Sequence, residues 1–296
     1  MPKATWKNIV AETQFATELS LNGLRRLCTV PTGTTDLWGS SEQNYALHVG
    51  LYSYTSGLER ICKLAISCYG YVHEGKFSQL PKSHDLGKLL DAVEALDLTK
   101  IDIHKQDNKY LQRPTDPLNT EAIAMATRFA MARDGGRYEH LDSLLDDDIE
   151  VKTYAQWTEL AAKSAISPEV QRLVSLQEAM SDVVESVMII EELESVHASI
   201  LPEDLTRMYE PSIGAALTLF RLVRWASAVL DAITYYTGRE LPLLADLLTP
   251  TFNHTSANFF NYNIARFSDD LVVEEELLAA YSRHNLNDQD EDEEID

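Results

Sequence analysis

Apolar residues recur along this chain at steps of three and four, and nowhere in strict alternation between turn residues, so the pattern predicts an all-α protein. A first helix is expected over Ala4–Leu27, with Ile9, Phe15, Leu19 and Leu24 on its inward stripe, ending in the turn-rich Pro31-Thr-Gly-Thr-Thr. A second runs from Ser41 to Tyr69, with Tyr45, Val49, Tyr52, Leu58, Ile61 and Leu64 as a long apolar stripe, and Gly70 and Gly75 end it. Tyr52, Tyr54 and Tyr69 read as core or interface aromatics. A third helix opens at Pro81-Lys-Ser-His-Asp-Leu, with Ser83 or Asp85 as N-cap, Leu86, Leu89, Leu90 and Val93 as its buried face, and a stop near Leu98. The polar stretch Thr99–Asn119, with Pro114 and Pro117, reads as a long loop, after which Thr120 caps a helix over Glu121–Ala132. Gly135 and Gly136 then break the chain, and Asp146-Asp-Asp marks the end of a first unit.

The second half is helical again from Val151. Pro168 sits at the first turn of a long helix reaching Ser199, whose Leu173, Leu176, Met180, Val183, Val187, Ile190 and Leu193 form a near-heptad seam suited to packing against another helix of the chain, the favoured use, or of a second copy. A helix over Pro211–Thr237, carrying Leu217, Phe220, Val223, Trp225, Leu230 and Ile233, is apolar on most faces and should be central. A final helix over Ser268–Ser282 leads into an acidic tail without a packing face, expected to be disordered. The resulting organisation is a helical bundle over 1–148, a second helical region over 149–284 packed on it, and the tail 285–296.

A chain of 296 residues, 45% of them hydrophobic, can bury a sizeable core. Its start, Met-Pro-Lys-Ala-Thr-Trp-Lys, lacks the hydrophobic centre of a secretory signal, and no apolar run reaches the ~18 residues of a membrane span, so a cytoplasmic protein without a membrane partner is expected. Cys28, Cys62 and Cys68 form no CxxC pair and read as buried, reduced thiols. Net charge changes the picture more. It is −22 and uneven: residues 1–150 carry 16 Lys+Arg against 21 Asp+Glu, residues 151–296 carry 9 against 26. Nucleic acid is repelled at long range, so chemistry on RNA requires a local basic cleft, whereas the acidic half suits a basic protein partner.

The best candidate for chemistry is Arg133-Asp-Gly-Gly-Arg-Tyr-Glu-His140, which gathers two arginines, an acid and a histidine around a glycine hinge. A guanidinium holds a phosphate bidentately, and an imidazole titrating near neutrality moves a proton on the adjacent hydroxyl. The bland reading has Arg133 and Arg137 facing a helix dipole and pairing with Asp134 or Glu139, His140 as a surface residue, and His84 helping to cap its helix. Neither GxxxxGK[ST], GxGxxG nor GxSxG occurs, so P-loop, dinucleotide and esterase chemistry lack support. There is no HExxH, and Glu194-x-x-His197 has no second copy, so neither a metal site nor a cofactor is expected.

The spacing Arg133-Asp134-x5-His140 resembles the Arg-polar-x3–5-His motif of the HEPN superfamily, at its long end. Ser83-His84-Asp85-Leu86-Gly-Lys-Leu89-Leu90 is similar to the His-Asp-Leu-x-x-Leu of many such bundles, and Arg137-Tyr138 to an Arg-Tyr element after the penultimate helix; the likeness covers residues 40–148. It implies a dimeric four- to five-helix bundle whose catalytic members are metal-independent ribonucleases of toxin–antitoxin or phage-defence systems. Carried over by residue, Arg133 holds the phosphate, Asp134 is the polar residue beside it and His140 is the acid/base, with Arg137 and His84 on the substrate. Two readings stand at this point: a homodimeric enzyme acting on RNA or a nucleotide, and a non-catalytic helical protein whose acidic half binds a basic partner.

Overall fold

The computed structural model describes residues 3–32, 37–100, 111–131, 136–146, 151–164 and 202–235, and among these there is no strand. The all-α expectation is met. Helices α1 (Lys3–Cys28) and α2 (Leu37–Glu74) form a long antiparallel hairpin. Their axes lie close because small residues face each other: a Cβ at Gly23 would overlap the Tyr54 backbone. Gly75, at φ +75°, ends α2 in a left-handed conformation open to glycine, so Gly70 lies inside the helix and not at its end.

Helix α3 (Leu86–Glu94) is capped by Asp85, whose carboxylate accepts from the Lys88 amide at 3.1 Å; Ser83 accepts from the Asp85 amide. Leu86, Leu89, Leu90 and Val93 are its buried face, as the sequence predicts. It stops at Glu94, and Leu98–Lys100 forms a short 3-10 turn. Helix α4 (Pro117–Ala130) starts earlier than predicted, because Asp116 caps it through the Asn119 amide and Pro117 pre-sets its first turn; Thr120 is interior. A 3-10 turn (Gly136–Tyr138) leads into the one-turn α5 (Glu139–Asp142), followed by α6 (Thr153–Lys163) and α7 (Pro202–Tyr235).

Residues Met1–Ala165 with Pro211–Thr255 form one unit, and Ile166–Glu210 with Ser256–Asp296 a second. Within the first, α4 packs against α2, α3 and α6. Leu219, Phe220, Leu222, Val223, Ala226 and Leu230 of α7 are buried, and the segment Ser212–Thr234 is apolar and long enough to span a membrane, contrary to the sequence expectation, yet 83% of its most apolar window is buried within the protein. Buried polar atoms tie it in: Tyr54 donates to the Leu219 carbonyl at 2.9 Å, and Trp157 donates to Ser212 at 3.0 Å. All three cysteines are free and buried, and burial pushes each thiol up to about 12.

Two predicted stripes are corrected. Phe15 is 49% exposed and meets α2 through the Arg60 guanidinium, 4.8 Å from its ring, and not through the buried core. On α2 the buried line is Leu47, Leu51, Tyr54, Leu58, Ile61 and Ala65, while Tyr45, Val49 and Tyr52 are exposed; the helix buries the face that meets α1 and α7, and leaves the neighbouring face for polar work. The seam at 173–193, the helix expected at 268–282 and the tail 285–296 lie outside the described residues.

Candidate functional site

The turn after α4 is built around Gly136. A Cβ there would overlap the Thr153 hydroxyl and sit 3.1 Å from the Phe129 ring, so glycine lets this turn lie between α4 and the start of α6. The consequence is register: Glu139 is 4% exposed, while its neighbours Tyr138 and His140 face outward.

Glu139 is held on all sides. Its Oε2 accepts from the backbone amides of Lys152 (3.1 Å) and Thr153 (3.2 Å), the first unpaired donors of α6, and its Oε1 lies 3.2 Å from His48 Nε2. Arg128 Nη1 stands 3.7 Å from Oε2, anchored by Gln156 at 2.8 Å and by the Thr153 hydroxyl at 3.0 Å. Burial pushes this carboxyl up, but hydrogen bonds from His48, Thr153 and Lys152 outweigh it and hold it at about 2. Glu139 is therefore ionised at neutral pH.

His48, on α2, packs edge-on against Phe129 (5.4 Å, 71°) and lies 4.7 Å from the His140 ring. His140 is held below the usual histidine range, first by partial burial and then by His48, with Glu139 opposing in part. One helical turn beyond His48, Tyr52 supports Arg137, whose guanidinium sits 4.9 Å above the ring. Two rows thus face each other: His48 and Tyr52 on α2, His140 and Arg137 on the 3-10/α5 turn. Arg137 Nε is buried without a hydrogen-bond partner, and no carboxylate pairs with Arg137 among the described residues.

From Tyr52 and Arg137 a cavity of about 710 Å³ runs along α2, past Ser56, Glu59, Arg60 and Lys63 to His84. Both residues predicted to bind substrate, Arg137 and His84, line it. His84 does not cap α3; Asp85 does, and His84 Nδ1 lies 3.0 Å from Glu59. Burial raises the Glu59 carboxyl, but Lys63 at 2.7 Å and His84 together pull it below its usual range. Arg60 pairs with Glu12. Arg137 is accordingly the cation of the cavity not already neutralised by a described neighbour.

Of the predicted catalytic set, His140 stands in this cluster, and Arg133 and Asp134 lie outside the described residues. Among the described residues Glu139 pairs with His48 and not with Arg137. Sequence reasoning missed His48, Arg128 and the inward role of Glu139; His48 is 91 residues from Glu139, and no local spacing joins them. No family model, curated protein or solved structure matches this chain. Chemically, two neighbouring imidazoles, one hydrogen-bonded to an ionised carboxylate, can take up and deliver a proton in one step, beside a cation suited to a phosphate.

Proposed function

We propose that this chain is a HEPN-like, metal-independent endoribonuclease of the toxin or phage-defence type. The observation that carries the reading is the His140 ring 4.7 Å from His48, which itself lies 3.2 Å from the buried Glu139 carboxylate. His140, kept neutral by its surroundings, removes the proton of a ribose 2′-hydroxyl; the oxygen attacks phosphorus, the 5′-oxygen leaves and takes a proton from His48, and a 2′,3′-cyclic phosphate and a 5′-hydroxyl result. Arg137 binds the phosphate, and in the HEPN-like reading Arg133 holds it too, with Asp134 the polar residue beside Arg133. In the HEPN-like reading a second copy pairs with the first, and the exposed Tyr45, Val49 and Tyr52 beside the site support such a surface.

The test is cleavage of a fluorescent single-stranded RNA in EDTA by the wild type and by His140→Ala, His48→Ala, Arg137→Ala and Arg133→Ala. Each histidine variant is expected to lose about 10²–10⁴-fold in rate with helicity unchanged. Undiminished cleavage by both histidine variants sinks the proposal. A second reading, a non-catalytic interaction protein, is favoured by the exposed Leu141, Leu144 and Leu145 and by the excess of acid after residue 150. It expects the wild type to be inert towards RNA and to bind a basic protein more weakly as salt rises.

A further inference from the structure

The cluster beside the cavity has a second chemical capacity. His48, Glu139 and His140 each offer one ligand atom, and the three atoms lie within 4.8 Å of one another. The His48 Nε2 to Glu139 Oε1 separation of 3.2 Å matches the ~3.3 Å edge of a tetrahedron with metal–ligand bonds of ~2.0–2.1 Å. His140 is exposed and on a one-turn helix, so its ring can close the remaining gap by rotating about its own side-chain bonds. We infer that these three residues form a binding site for a zinc-class divalent cation, with two imidazoles and one carboxylate as ligands and a fourth position left for water.

Three features support it. Two imidazoles with a carboxylate select zinc and cobalt over magnesium or calcium, which take oxygen-rich sets. The carboxylate is already oriented: the Lys152 and Thr153 amides fix the oxygen away from His48, in the manner of the outer hydrogen bonds that orient metal ligands. Phe129 against His48 fixes that ring's plane. Metal capture occupies both imidazoles proposed for proton transfer, so zinc is an inhibitor of the metal-free reaction and competes with RNA chemistry for one set of atoms.

The experiment reads binding without RNA, so its outcome is separate from the nuclease assay. Cobalt(II) is titrated into the full chain at pH 7.5 and followed by its visible absorption, then displaced by zinc chloride. One cobalt per chain with tetrahedral-intensity bands, displaced by zinc and not by magnesium, and weakened at least about tenfold by His140→Ala and by His48→Gln, is the expected result. His140→Gln, checked by circular dichroism, replaces the alanine variant if that one loses helicity. Absence of saturable binding, or a loss smaller than tenfold in folded variants of both histidines, overturns the assignment.

Discussion

Replacing Glu139 by glutamine tests the electrostatics of the site most directly. The folded carboxyl lies at about 2 against an ordinary value near 4.5, so the folded chain binds fewer protons than the unfolded one between those limits, and stability rises with pH across that window. The difference corresponds to roughly 3 kcal/mol, fully present above about pH 4.5 and lost as pH falls towards 2. Glutamine removes the charge and also turns one oxygen into an NH2 group facing the amide donors of Lys152 and Thr153, which adds to the loss. Glu139→Gln should therefore destabilise the protein by at least about 3 kcal/mol at pH 7, and the gap should shrink steadily below pH 4.5. Urea unfolding followed by circular dichroism at pH 7, 5.5, 4 and 3 measures it. A loss under ~0.5 kcal/mol at pH 7, or a gap that does not change with pH, refutes the account of Glu139 as a buried, hydrogen-bonded anion.

The direction of the His140 shift predicts where cleavage fails in acid: the base must be neutral, so the acidic limb of the kcat/KM profile should fall below the ordinary histidine range near 6.5, and Glu139→Gln should move it lower still by removing the neighbouring negative charge. Gly136→Ala should cost about 2 kcal/mol or more in urea unfolding, because the added methyl overlaps Thr153 and presses on Phe129; a neutral effect shows that the turn relaxes freely. Asp85→Ala should remove the α3 cap at a loss of about 1 kcal/mol, whereas His84→Ala should leave stability within ~0.5 kcal/mol and instead alter binding in the cavity.

What the sequence disclosed depended on how many neighbours a helix has. α3 and α7 each present their apolar residues as the pattern predicts: Leu86, Leu89, Leu90 and Val93 on one stripe, and Leu217, Phe220, Val223, Trp225, Leu230 and Ile233 all buried. On α2 the predicted stripe holds at Leu58 and Ile61 and fails at Tyr45, Val49 and Tyr52. The helix is 38 residues long and meets α1, α3, α4 and α6, so apolar character alone does not distinguish its buried line from Tyr45, Val49 and Tyr52, and Tyr52 is used as a platform for a guanidinium. Capping followed local chemistry too subtle for pattern: Asp116 with Pro117 starts α4 four residues ahead of the predicted Glu121. At the candidate site, His140 and Arg137 are close in sequence and share one short motif, and the fold sets them beside His48 and Tyr52. His48 and Arg128 were invisible because their roles arise only when α2, α4 and α6 meet around one carboxylate.

That carboxylate does two jobs whose mutational fates differ. Glu139 closes the amino end of α6 and at the same time steadies His48, so a chain that loses it forfeits architecture along with chemistry. His140 hangs from the rim of the same cluster, exposed and outside the core. Under the proposed function, drift at His140 would silence cleavage and keep the bundle whole, whereas drift at Glu139 threatens the bundle itself. A silent descendant should thus be recognisable by an intact glutamate beside a missing histidine, and it would retain the groove along α2 for binding alone.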